Sequence, residues 1–412
     1  MNARVGKVLK SVVRWTIAAV GTWYVLSQLS WNDRALVRLE GNPTPRWATV
    51  IQGDEHSPQL IIQTWDDHQT HTIDAASVAT EPVSKNSHVP KPRIQVGVRH
   101  LLASARHWYL FASLGIFPLT FLITSFRWHE LLKALDIRLT WQRTFVLNMV
   151  GAFYNTFMLG SVGGDVLKMY YVAKQTHHRT RAVMSVAVDR IIGLLALIIL
   201  GGSVAAYTAW HLKIGQTQEV AMACAVIIFL TAVGLTIFYN PTLHRLIGLD
   251  WMLRKLPMRE RVGRVVETMR LYGKRPGLAA AALLVSFPVH IVVIFSAFLA
   301  GVAFNLHIPW QYYWTVVPVT VLAGSIPISP QGAGVMEYFA ILLLTPVGCT
   351  VAEAVVLTMS IRLVQVLWNL VGGLFVLRGG YHKPTAAQER EIEAEDEDGP
   401  ALGRSAATEN GR

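Results

Sequence analysis

"FMLGSVGGDVLKMYY", residues 157–171, breaks an apolar run at Gly160, Gly163 and Gly164 and then sets Asp165 where lipid would be expected. A carboxylate at membrane depth is unfavourable by about 3 kcal/mol or more. Non-helical backbone is tolerated there only when it is buried in protein or faces a wet cavity. How this stretch is read decides the fold, and the flanking charges supply the reading.

Of the 412 residues, 52% are apolar and 15% are charged, against about 25% charged in a soluble domain. Apolar runs near the ~18-residue spanning threshold recur along the chain, at about 108–126, 145–162, 183–208, 219–239, 279–304, 313–327, 333–347 and 353–377. The class is an all-α polytopic membrane protein. Its net charge of +11 belongs to cytoplasmic loops rather than to nucleic-acid binding, and attraction to anionic headgroups is a compatible second effect. Cys224 and Cys349 lie in or beside apolar stretches and offer neither a disulfide framework nor a zinc spacing.

Arg127, Lys133, Arg138 and Arg143 precede the 145–162 run; Lys168, Lys174, Arg179 and Arg181 follow it. Both flanks are basic, so both should be cytoplasmic. Residues 145–166 are therefore expected to enter and leave on one side as a re-entrant hairpin, with Gly160 to Asp165 forming its turn or return leg. Glycine suits such a break because it accepts positive φ and lets other groups approach closely. Residues 240–277, with nine Lys or Arg against three acids, read as cytoplasmic; the short loops near 210–218 and 305–311 read as external. A second hairpin, 313–347, is then expected from the outer face, broken at "GSIPISPQGAGVMEY" (residues 324–338). This gives about six full transmembrane helices plus two re-entrant helical hairpins, with both termini cytoplasmic.

The expected domains are an N-terminal anchor (1–29), an extracytoplasmic β-rich module and linker (30–105), a transmembrane core (106–380) and an acidic disordered tail (381–412). The first apolar run follows Arg4, Lys7, Lys10 and Arg14 without a convincing cleavage site, which favours a retained anchor. In the module, "RWATVIQG", "QLIIQTW" and "HQTHTIDAAS" alternate in the manner of strands.

The two halves of the core look related. Asp165 precedes Arg190 by 25 residues, and Glu337 precedes Arg362 by 25. With hairpins entering from opposite faces, this is the pattern of an inverted repeat, whose broken segments meet near the midplane and form a substrate site. The acid–base sets could contact a headgroup in transit. They could equally be structural ion pairs fixing the hairpins, and the two readings are compatible. Asp189 could face cytoplasmic water beside Arg190.

"FYNTFMLGSVGGDVLKMYYVAK", "SVAVDRIIGLLALIIL" and "SIPISPQGAGVMEY" resemble, in order, the signature blocks of the lysylphosphatidylglycerol synthase transmembrane-domain (flippase-like) family, over about residues 108–380. The resemblance implies translocation of a phospholipid or lipid-linked glycan across the cytoplasmic membrane. It points to Asn155, Gly160, Gly163, Gly164, Asp165, Lys168, Asp189, Arg190, Pro327, Gly332, Gly334, Glu337 and Arg362 as substrate-binding. Lys168 stands where the family commonly has Arg, keeping the charge but losing a bidentate fork. The 30–105 module is longer than the usual loop. No soluble synthase follows residue 380, so the lysyl-transfer activity in the family's name is not expected here.

No nucleophile, metal or nucleotide constellation is legible, so neither enzymatic activity nor a cofactor is expected. "GSVGGD" lacks the Gly-Lys-Ser/Thr ending of a phosphate-binding loop. His68, His71, His177 and His178 read as surface residues, and Trp310, Tyr312, Tyr313 and Trp314 as a membrane interface. The expected partner is a membrane lipid or lipid-linked substrate; a synthase or glycosyltransferase partner and a homo-oligomer are compatible. A scaffold recruiting a partner enzyme is the alternative function. A lipid-modifying transferase using Asp165 or Glu337 as base is a third.

Overall fold

The computed structural model describes residues 16, 23, 27, 29–38, 44–53, 57–65, 68–79, 94–157, 163–212, 215–240, 242–243, 259–326, 329–379 and 381. The expected anchor at 1–29 lies almost wholly outside the described residues, as do the acidic tail, Gly160 and Pro327.

Alternation in the N-terminal stretch produces an antiparallel sheet of six strands: β1 (Arg34–Val37), β2 (Arg46–Gln52), β3 (Gln59–Thr64), β4 (Thr70–Asp74), β5 (Val78–Ala79) and β6 (Ile94–Gln95). The order is β4-β3-β2-β1-β5, with β6 also paired to β1. The register sets Arg34 against Thr49 and Ile62 against His71, with an irregularity between Val50 and Gln52. Ala35, Val37, Ala48, Val50, Leu60 and Ile62 point to one face and form a core of their own, as a period of two requires.

The chain then enters the helical core through α1 (Val98–Ala103). Val98 and Leu101 bury against Phe304, Ala352 and Val356, and the Asp33 carboxylate accepts from the Gly97 amide at 2.7 Å. The core helices are α2 (His107–Ile116), α3 (Pro118–Lys133), α4 (Trp141–Phe157), α5 (Gly163–Ala173), α6 (Arg179–Leu212), α7 (Gly215–Tyr239), α8 (Arg259–Gly273), α9 (Pro276–Ala303), α10 (Trp310–Ser325), α11 (Val335–Leu344) and α12 (Val351–Leu377).

Among the described residues, five segments are long and apolar enough to cross a membrane: His107–Lys133, Arg179–His211, Thr217–Tyr239, Pro276–Ala303 and Val351–Leu377. They coincide with five of the expected crossings. The first runs through α2 and α3, with Pro118 at the start of α3; the Leu114 carbonyl four residues earlier, which proline cannot serve, accepts from the Trp368 indole instead. It also continues to Lys133 instead of ending near 126. Arg127 is therefore inside a helix and buried, which corrects its reading as a loop cation. Lys133, Arg138 and Arg143 still carry the basic flank.

Helices α5 and α11 have 11 and 10 residues, a rise of about 16 Å at about 1.5 Å per residue, well short of a ~30 Å hydrocarbon core. Each packs on the helix before it. Asn155 lies opposite Gly164, and Gly151 and Asn148 lie opposite Lys168, so α4 and α5 run antiparallel. Their crossing is so close that a Cβ on Gly164 would sit 1.8 Å from the Gly151 carbonyl oxygen. Ala or anything larger would force the pair apart. Helix α12 braces both sides, with Asn369 donating to Thr156 Oγ1 at 3.0 Å and Trp368 to the Leu114 carbonyl at 2.8 Å. Tyr312 and Tyr313 are buried in the core of the second half. Trp310 alone of the expected aromatic quartet is largely exposed; the two tyrosines pack inside the protein, which corrects the interface reading for them.

Candidate functional site

Gly163 and Gly164 open α5, which makes Asp165 the third residue of that helix, counting from 163. Glu337 is likewise the third residue of α11, counting from 335. Arg190 is the twelfth of α6 from 179, and Arg362 the twelfth of α12 from 351. Each guanidinium meets the carboxylate 25 residues before it. A helix N-terminus carries a partial positive charge, so both carboxylates stand where the backbone favours an anion.

Beyond this shared plan the two pairs differ. Asp165 serves two cations: Arg190 bonds Oδ2, and Lys168 Nζ lies 3.2 Å from Oδ1. Lys168 also donates to Asn148 Oδ1 at 3.1 Å, and its ammonium sits 5.3 Å from the Trp128 ring centroid, within cation–π range. Its stem crosses Gly151, where a Cβ would come within 2.8 Å of Cγ. Asn148 donates in turn to Thr124 and Ser125, both at 3.0 Å. Arg190 is the most solvent-accessible of the trio, its side chain 29% exposed.

Glu337 by contrast is sealed. Its side chain is 1% exposed; Oε1 accepts from Arg362 at 2.7 Å and Oε2 from the Gly334 amide at 2.7 Å. Both oxygens are engaged, one by a cation and one by the N-cap amide of α11. Gly332 and Gly334 lie in the break before α11, both with positive φ.

A cavity of about 350 Å³ opens beside the first pair. Asn155, Asp165, Lys168, Asp189 and Arg190 of the expected residues line it, together with Arg127, Asn148, His290, Gln331 and Asn369; Phe117, Phe121, Leu194, Leu197 and Val289 give it an apolar wall. Glu337, Arg362, Gly332 and Gly334 are not among the lining residues.

Sequence reasoning missed the second ion pair in this wall. Asp189 does not face cytoplasmic water. It is buried, and Arg127 Nε donates to its carboxylate at 2.7 Å, while Arg127 also reaches the Asp189 carbonyl at 3.2 Å and Ser286 Oγ at 2.6 Å. One turn on, His290 bonds the Gly193 carbonyl at 2.9 Å. An Arg inside "LITSFRWHE" was the available signal. Three cations, Arg127, Lys168 and Arg190, thus face two carboxylates, and the wall holds an excess of one positive charge. Such a wall can take up an anion without first losing a protein carboxylate.

The description "Lysylphosphatidylglycerol synthase TM region" matches residues 96–373, which begin just before α1 and end within α12. A UPF0104 membrane protein of Pyrococcus horikoshii is 22% identical over 291 residues, covering 66% of this chain and 87% of that protein.

Proposed function

Because the chain belongs to the lysylphosphatidylglycerol synthase transmembrane-region family, we propose that it is a translocase moving a phosphate-bearing lipid, a phospholipid or lipid-linked glycan, across the cytoplasmic membrane. In this reading α4–α5 and α10–α11 are re-entrant hairpins entered from opposite faces and related as an inverted repeat. Their lengths and the matched third and twelfth positions support it. The termini are cytoplasmic and the sheet lies outside.

The single observation that carries the reading is the sharing of Asp165 by Lys168 and Arg190 on a cavity wall with excess positive charge. A lipid phosphate entering the cavity takes Arg190, whose planar fork matches it. Asp165 keeps Lys168, so no carboxylate is stranded without a partner during the exchange, an event that would be unfavourable by about 3–5 kcal/mol. The apolar wall accommodates the chain-proximal part of the lipid. The work is recognition and passage, with no bond made or broken, so the chain is not an enzyme.

A scaffold role for the sheet is the second reading, favoured by Ile51 and Trp65 standing exposed on it. Purified protein in vesicles carrying headgroup-labelled phosphatidylglycerol separates the two. Protein-dependent movement between leaflets that survives deletion of residues 35–95 supports translocation, and its absence for every phosphate-bearing lipid tried contradicts it.

A further inference from the structure

Among the described residues of the break between α10 and α11, three take positive φ: Gln331 (φ 51, ψ 24), Gly332 (φ 69) and Gly334 (φ 81). Glycine enters this region freely, whereas a residue with a Cβ is strained there. Two of the three positions hold glycine, as backbone sterics alone would favour. The third holds a glutamine, and strain kept in place invites a functional explanation.

The side chain supplies one. Gln331 Nε2 donates to the Asn155 carbonyl at 3.2 Å, a contact across 176 residues to the last turn of α4. Because a carbonyl can only accept, the amide orientation is fixed. Asn155 Oδ1 accepts from the Gly164 amide at 2.7 Å, at the start of the helix that carries Asp165. In the other direction the Gln331 carbonyl accepts from Arg362 Nε at 3.3 Å, and Arg362 binds Glu337. The path from Glu337 to the Asp165 helix is continuous, and Gln331 is its central link.

We infer that Gln331 is a positioning residue that ties the two broken segments together and, through Asn155, holds the Asp165 helix against the cavity. The tie is independent of what the cavity carries; its importance for lipid movement rests on the translocation reading above. Gln331→Gly is the informative variant, since it relieves the strained φ while deleting the bridge. Gln331→Asn keeps an amide and tolerates the left-handed region, but is one methylene shorter and should behave like the glycine variant.

The test combines hydrogen–deuterium exchange with lipid movement in vesicles of phosphatidylglycerol. Both variants should melt close to the parent protein. Exchange in residues 150–157 and 163–167 should rise about fivefold, the weight of one net hydrogen bond, with α9 unchanged, and lipid movement should fall at least as much. Unaltered exchange in both segments overturns the tie. Raised exchange with parental lipid movement overturns its role in coupling. If the parent itself moves no lipid, the translocation reading fails, and the exchange result still decides the tie.

Discussion

Arg190 and Asp165 form an ion pair in the wall of a cavity, and the same carboxylate also holds Lys168. The pair at the matched position, Arg362 with Glu337, does not line that cavity, and both oxygens of its carboxylate are engaged within a buried site. The two pairs match in position along their helices and differ in environment, and that difference separates what each should do under substitution.

Glu337→Gln leaves Arg362 with a neutral partner in a sealed site. Thermal or denaturant unfolding should show a loss of about 3–5 kcal/mol, while the protein that does fold moves lipid at nearly the parental rate. A variant as stable as the parent would show that the pair does not brace α11.

Gly151→Ala places a methyl within 2.8 Å of the Lys168 stem. Overpacking of this kind typically costs about 1–3 kcal/mol. Lys168 must shift off Asp165 or Asn148, so lipid movement should fall beyond the loss of folded protein. Gly151→Ala with parental stability and parental lipid movement would mean that the lysine stem has room to spare.

A cysteine introduced at 143 sits in the first turn of α4 and one at 175 just past the end of α5, so the two mark the open ends of the pair. If that pair turns back on itself, a membrane-impermeant thiol reagent should reach both from the same side. Labelling from opposite sides would make α4 and α5 a crossing and end the re-entrant arrangement.

Deleting residues 35–95 removes the sheet but keeps Asp33, Gly97 and α1, whose Val98 and Leu101 dock on Phe304, Ala352 and Val356. The remaining protein should insert in the membrane and melt cooperatively near the parental temperature. Loss of the protein from the membrane would make the sheet part of the core.

The sequence disclosed the site where its residues broke a strong pattern. Gly163-Gly164-Asp165 stands out because neither glycine nor a carboxylate belongs in an apolar run, and the repeated spacing of 25 residues corresponds to a contact in both places. The alternation at 46–64 likewise announced strands, and β2 and β3 lie there. Arg127 escaped because a cation near a helix end reads as a loop cation under the positive-inside rule. For Asp189, the alternative of facing water is the one the structure excludes, and its partner is hard to read from sequence because it sits 62 residues away. Gln331 was hidden among prolines and glycines, where composition says only that the helix stops; the cross-chain bond that gives it meaning is a property of packing.

The most direct measurement is lipid movement per folded protein for Asp165→Asn, Arg190→Lys and Glu337→Gln, each purified and reconstituted alongside the parent with headgroup-labelled phosphatidylglycerol. Loss of a charge-assisted hydrogen bond at the cavity should lower the rate about tenfold or more in the first two, with the third close to the parent once folded yield is taken into account. Parental rates for both Asp165→Asn and Arg190→Lys, or a decline in all three that merely follows the folded protein recovered, would contradict the cavity pair as the point where the lipid headgroup is taken up.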